Sequence, residues 1–377
     1  MPARLLPTQP DPRPQWDVFC RVIDNLGDIG VCWRFCSNLA QRGQSVRLWI
    51  DAPDALSWMV PGALEGLVPD IAVWHWTDPL PPGSLQQSPP AGIWVEAFGC
   101  DPAPEWMDWL AGRIATGHPQ PTWLNLEYMS AESYVERCHR LPSPIFTGPL
   151  GGLTKWFFYP GFTPATGGLL REPDLMERRH QFDATNWLHN QDLPSDAATR
   201  RIGLFCYEPP PLQQVLREVA EDPLPSTWLA THGRSAQALA HAQQGLTGTP
   251  CEVHTLAPLT QTEFDHLLWT CDLNFVRGED SLVRALWAGQ AFVWHIYPQH
   301  DNAHHAKLEA FLDWLQAPPS LRQFHRLWNG VSRPRYEVWP GWAVVDEWRT
   351  CALAARERLL LQPDLVTQVL EFIAKKR

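Results

Sequence analysis

WDVFCRVIDNLGDIGVCWRFCSNLAQRGQSVRLWID, running from Trp16 to Asp51, decides the fold class. Its opening run, Trp16–Asp24, is mostly apolar and suits a strand buried on both faces. A glycine-containing turn follows, Asn25-Leu26-Gly27-Asp28-Ile29-Gly30. From about Ile29 to Arg42, Val31, Cys32, Phe35, Cys36 and Leu39 keep one apolar helical face, and Gly43 supplies a C-terminal stop. A second apolar run, Ser45–Asp51, comes at once. Strand, helix and strand in this order predict a β-α-β unit, hence a parallel sheet with a right-handed crossover.

Working outward, further strands are expected at Ile71–Trp76, Gly92–Glu96, Arg113–Thr116 and Pro121–Leu126. The Gly-, Pro- and aromatic-rich stretch Thr147–Gly168 has little periodicity and reads as a border between domains. A second alternating series begins at Arg201. Strands are expected at 201–208, Thr227–Thr231, 251–256, Leu273–Val276 and Gln290–Ile296. Helices are expected at Leu212–Ala220, Gln261–Cys271, Asp280–Ala288 and Asn302–Leu315. Two doubly wound halves in one chain make an α/β protein with a cleft between them. The division expected is 15–165 for the first Rossmann-like domain, 166–200 for a linker and 201–340 for the second. Residues 341–377 would form helices packing back across both, and 1–14 a flexible Pro-rich lead.

With 377 residues, two domains are the natural count. The formal net charge of −11 argues against a long nucleic-acid groove or a polybasic membrane anchor. The 21 Trp and 37 Pro read as core packing and loop chemistry. Nine scattered cysteines without a C-x-x-C pair, with Cys32 and Cys36 on one helix face, suggest a reducing compartment. The start MPARLLPTQPDPRPQ has no apolar core of a signal peptide, and no apolar run is long enough to span a bilayer. A cytoplasmic protein is expected.

Two segments carry chemistry. In the first, Asp24 and Asp28 lie four residues apart where a buried strand yields to a helix, with Gly27 and Gly30 allowing a tight turn. G-x-G-x-x-G spacing is absent, so the dinucleotide fingerprint fails. Two carboxylates facing one small volume suit binding a cation and acting as general base. The alternative is that Asp28 simply caps the helix. In the second, Arg277-Gly278-Glu279-Asp280-Ser281, a strand ends and a helix begins. Backbone N–H groups, the Ser281 hydroxyl and the Arg277 fork would seat phosphate oxygens. Glu279 and Asp280 would repel a diphosphate, so they need another role: capping, bonding sugar hydroxyls or orienting Arg277. The alternative there is an ordinary acidic first turn.

Phe205-Cys206-Tyr207-Glu208 and Tyr297 end strands of the second half and could face a base or sugar, or pack in the core. His300, His304 and His305 are not completed by any zinc pattern. No G-x-S-x-G or Walker loop is present.

At these residues the chain resembles the bacterial elongation factor P arginine rhamnosyltransferases, the EarP family. RVIDNLGDIGVCWRFCSNLA, NLEYMSAESYVE, LPSPIFTGPLGGLTKWFFYPGF, LFCYEPPPL, FVRGEDSLVRALWAG and WHIYPQHDNAHHAKLEAFLDWL carry the resemblance, which spans nearly everything after the first 15 residues. It implies a GT-B type glycosyltransferase, with two Rossmann-like domains facing a central cleft. The implied donor is dTDP-β-L-rhamnose on the C-terminal domain. The implied acceptor is an arginine of elongation factor P on the N-terminal domain, modified with inversion and without a metal or other cofactor. Nucleic acid and membrane are not implied partners.

Residue by residue, Asp28 matches the general base and Asp24 its partner, with Asn25, Gly27 and Gly30 shaping the loop. Arg277, Glu279, Asp280 and Ser281 match the nucleotide-binding segment. Phe205, Tyr207 and Tyr297 match donor-pocket aromatics, and Gln261 a glutamine near the nucleobase. The segment Ala257-Pro258-Leu259-Thr260 lacks the aromatic that family members can carry there, leaving the Pro258 ring face as the candidate for stacking on thymine. A nucleotide-sugar enzyme of the same fold with a small acceptor is the alternative activity. A non-catalytic nucleotide-sugar binder is the alternative class, and it has no use for a base opposite a diphosphate seat.

Overall fold

The computed structural model describes residues 15–23, 26–77, 79–80, 85, 91–244, 246, 252–299, 302–333 and 337–376. The predicted lead 1–14, Asp24, Asn25 and His300 lie outside the described residues.

The first sheet contains β1 Gln15–Cys20, β2 Ser45–Ile50, β3 Ile71–His75, β4 Ile93–Ala97, β5 Thr122–Leu126, β6 Pro142–Pro144 and β7 Thr154–Phe158. Their order is β3-β2-β1-β4-β5-β7-β6, parallel except for the β6–β7 pair. The second sheet contains β8 Arg200–Leu204, β9 Ser226–Ala230, β10 Glu252–Thr255, β11 Leu273–Arg277 and β12 Ala291–His295. Its order is β10-β9-β8-β11-β12, parallel throughout. Both halves therefore reverse strand order beside their first strand, at β1/β4 and at β8/β11. Ligands of open α/β sheets bind at the carboxyl ends of strands at such points.

Alternation along β1 sends its side chains to two different layers. Trp16, Val18 and Cys20 pack with Ile29, Cys32, Phe35 and Leu39 of the helix Gly27–Gln41. Phe19 faces the other way, into Trp49, Trp76, Trp94 and Trp106. The rings there meet largely edge to face, as at Trp94–Trp106 (5.6 Å, 88°), the arrangement aromatic quadrupoles favour. The tryptophan excess thus builds core layers. Described cysteines are free thiols, and Cys32 and Cys36 are buried.

Two expectations are corrected. Arg113–Thr116 is no strand: Arg113–Ala115 end the helix Pro104–Ala115, whose Pro at the first turn and Trp106 and Leu110, four apart, set a helical face. The stretch 147–168 is not simply irregular, because β7 lies within it and pairs with β5. Gly148 and Gly152, at φ 80° and 95°, turn the chain before that strand.

The C-terminal helices divide between the halves. Trp342–Leu360 packs Trp342, Val345, Trp348 and Ala352 into the second core. Leu365–Lys376 packs Val366, Val369 and Phe372 into the first. Among the described residues no helix is long and apolar enough to cross a membrane.

Candidate active site

A cavity opens between the halves, the kind of cleft between domains where small-molecule sites are commonly found. Leu26, Gly27, Arg34, Trp58 and Met59 line it from the first half. Phe205, Thr231, His232, Leu259, Gln261, Phe264, Arg277, Asp280 and Ser281 line it from the second. Trp58 meets the His232 ring edge to face at 4.9 Å, closing one wall across the seam.

Asp28 sits in the first turn of Gly27–Gln41 and is 2% exposed. It does not act as the cap: the N-cap position is Leu26, with no side-chain capping bond. Instead Asp28 Oδ2 accepts a hydrogen bond from the Ile23 N–H (2.8 Å). Its Oδ1 accepts one from the Tyr128 hydroxyl (3.4 Å). Tyr128 follows β5 and stacks on Phe98, which follows β4 (4.2 Å, 10°). Burial, then the charges of Asp28 and Glu279, push the Tyr128 phenol well up, so it keeps its proton and donates.

The second segment begins at the end of β11. Arg277 stands over the Phe205 ring (4.5 Å) and the Tyr207 ring (4.7 Å), and its Nη1 donates to the Cys206 carbonyl (3.2 Å). Aromatic faces and one carbonyl hold this guanidinium at the cavity wall, where cation–π contact is favourable. Tyr207 is buried, with Tyr297 edge-on at 5.8 Å. Tyr297 itself is 42% exposed. Ser281 does not present its hydroxyl as a simple phosphate donor. It accepts from the Arg277 N–H (3.0 Å) and donates to the Arg277 carbonyl, closing the turn.

The two acids have partners that the sequence did not reveal. Glu279 pairs with Lys307 and accepts the Met129 N–H (2.8 Å). Asp280 pairs with Arg34 at 3.0 Å. Neither faces the cavity as a bare carboxylate, which removes the electrostatic objection to an anion there. Gln261 donates to the Gly30 carbonyl across the seam (3.0 Å).

Pro258 is exposed and absent from the cavity lining, whereas Leu259 is buried and lines it. Flat rings on the cavity lining belong to Phe205, Phe264, Trp58 and His232, with Arg277 over one face of Phe205. Phe205 and Phe264 meet at 5.2 Å and 70°. The sequence signal for Phe264 was its position three after Gln261 on one helix. Trp58 had no such signal, since it sits on the four-residue helix Leu56–Met59. Phe264→Ala is expected to weaken the binding of a nucleoside diphosphate probe about tenfold, the usual worth of one stacking face, measured by titration calorimetry.

His304 Nδ1 accepts the Gln299 N–H (3.1 Å), and its ring lies 4.3 Å from His305. Among the described residues no group of three or more His, Cys, Asp or Glu could hold a metal ion.

The chain matches the model of the elongation-factor P (EF-P) rhamnosyltransferase family EarP over residues 16–374. It is 38% identical to a protein-arginine rhamnosyltransferase of Pseudomonas aeruginosa, covering 95% of this chain and 98% of that one. It is 39% identical to the protein-arginine rhamnosyltransferase of Pseudomonas putida, with the same coverage. Among solved structures, one describing EarP-mediated arginine glycosylation of translation elongation factor EF-P is similar. That match has a TM-score of 0.62 at 27% identity, covering 97% of this chain and 100% of that one. Spinosyn rhamnosyltransferase with thymidine diphosphate aligns at TM-score 0.51 and 13% identity, covering 95% and 99%, a likeness of fold alone.

Proposed function

The chain belongs to the EF-P rhamnosyltransferase family EarP, with the GT-B fold of a glycosyltransferase, and on that premise we propose that it moves rhamnose from dTDP-β-L-rhamnose to an arginine side chain of EF-P. The observation that carries this reading is that Gly27, which directly precedes Asp28 in the first turn of one half, lines the same cavity as Arg277 of the other.

A guanidinium has a pKa above 12 and delocalised lone pairs, so it is a weak nucleophile at neutral pH. Asp28 supplies the carboxylate that takes its proton, with Asp24 of the same loop as the orienting partner. One guanidinium nitrogen attacks the anomeric carbon from the face opposite the diphosphate. The C–N bond forms as the C–O bond breaks, and the bonding pair leaves on dTDP. Configuration inverts, and the nitrogen's proton passes to Asp28. Arg277 and the N-terminus of the helix Gly278–Ala288 face the charge that grows on the leaving diphosphate. Tyr128 holds Asp28 in place by its hydrogen bond. These groups supply the base and the anion stabilisation without a metal.

Incubating the purified protein with EF-P and dTDP-rhamnose is expected to shift the intact mass of EF-P by one deoxyhexose, and EDTA is expected to leave the rate unchanged. An unmodified EF-P, alongside steady dTDP release with a small acceptor, would instead establish the small-molecule activity.

A further inference from the structure

The helix Gly27–Gln41 carries Asp28, and Gly278–Ala288 carries the Arg277–Ser281 segment's acids. The two cross at the seam between the halves. At the crossing Gly30 has no side chain, and a Cβ there would come within 3.1 Å of Asp280 Oδ2. One turn further along, Arg34 fills the gap, 5% exposed.

All three guanidinium nitrogens of Arg34 reach across the seam or into the linker. Nε lies 3.0 Å from Asp280 Oδ1. Nη2 donates to Asp265 Oδ1 and to the Gln261 carbonyl, both at 3.2 Å. Nη1 donates to Asp265 Oδ2 at 3.4 Å and lies 3.6 Å from Glu172. Gln261 returns a bond to the Gly30 carbonyl. One planar fork thus ties the helix of the acid loop to Asp280 and to the start of the helix Gln261–Thr270. A flexible ammonium would reach only part of this set.

We infer that Arg34 is a positioning residue for transfer: it fixes how far Asp28 stands from the donor seat without itself touching the reacting atoms. This rests on the function proposed above. The two reacting groups come from different halves, so their separation depends on contacts across the seam such as these. A misplacement near 1 Å costs on the order of a hundredfold in rate.

Arg34→Ala and Arg34→Lys are compared with the natural chain in three readouts. These are kcat and KM for EF-P modification, dTDP affinity, and hydrogen exchange in 27–41 and 278–288. Arg34 lines the cavity, but its guanidinium is taken up by Asp280, Asp265, Gln261 and Glu172, so Arg34→Ala is expected to lower kcat about 100-fold while dTDP affinity changes less than about threefold, with exchange rising in both helices. Arg34→Lys is expected to recover about tenfold of the lost rate, as a point charge replaces the fork. A folded Arg34→Ala protein with kcat within about threefold of the natural chain overturns the inference. So does a rate loss matched by an equal loss of dTDP affinity, which would make Arg34 a donor ligand. If Arg34→Ala does not fold, Arg34→Lys decides: full activity overturns the inference. Should the natural chain not modify EF-P, the functional reading fails separately, and unchanged exchange in Arg34→Lys would then overturn the positioning role.

Discussion

Asp28→Asn is expected to abolish transfer to about 0.1% of the natural kcat while dTDP binds with unchanged affinity. General-base catalysis is worth roughly 100- to 10,000-fold, and a cationic nucleophile sits toward the upper end because it must lose a proton to react. A thousandfold is about 4 kcal/mol of barrier. The substitution is nearly isosteric. The carbonyl of the new amide can still accept the Ile23 N–H that Asp28 accepts at 2.8 Å, so the turn should survive. The Tyr128 hydroxyl that now donates at 3.4 Å can accept from the amide nitrogen. Asp28 is not among the cavity-lining residues, which is why donor affinity should be spared. The measurement is intact-mass kinetics of EF-P, beside a dTDP titration on the same preparation. Retained turnover with normal dTDP binding would remove Asp28 from the base role. Asp24→Asn is expected to act chiefly on the acceptor KM, as an orienting partner would.

The twin β-α-β series was readable because buried parallel strands and an apolar helical stripe have distinct periods. Arg113–Thr116 misled for the same reason: four residues at a helix end contain too little of a turn to show a 3.6 period. β7 was hidden by the glycines and prolines on either side of it, which mark turns but do not say what lies between them. The places of Arg277 and Asp28, at strand-to-helix turns, were legible from position alone. Their environment was not. Arg34 and Asp280 are 246 residues apart, and no local pattern links them. Glu279 looked like a problem for a diphosphate until Lys307, 28 residues later, came to lie against it. Tyr128 and Trp58 were equally silent, because each acts through a contact made only when distant strands or halves meet.

The same seam contains the largest expected stability effect, at Arg284. It is 2% exposed. Nε donates to Asp265 Oδ1 (2.8 Å), Nη2 to Asp265 Oδ2 (2.6 Å) and Nη1 to Glu172 Oε2 (2.8 Å). With Arg34 it balances the buried acids Glu172 and Asp265 and the partly buried Asp280. Burial alone would lower its affinity for a proton, but Asp265 and Glu172 outweigh this and push it up. Arg284→Met keeps roughly the volume and leaves the three acids facing Arg34, with the more distant Arg178 3.8 Å from Glu172, so it should cost about 3–5 kcal/mol at pH 7, the range for breaking a buried pair from one side. Arg284→Lys should cost less, since charge remains while the bidentate fork to Asp265 is lost. The dependence on pH separates charge from packing. Burial would raise the Glu172 carboxyl, yet Arg284 and Arg34 hold it at about 2, below its ordinary 4.5. A depressed carboxyl stabilises fully above its unfolded value and loses that contribution as pH falls from about 4.5 toward 2. In Arg284→Met the depression is largely gone, so the stability deficit should be greatest at neutral pH and shrink as pH drops below about 4.5. Urea unfolding of both proteins at pH 7 and pH 3 measures it. A deficit of equal size at both values would assign the loss to packing rather than to the uncompensated acids.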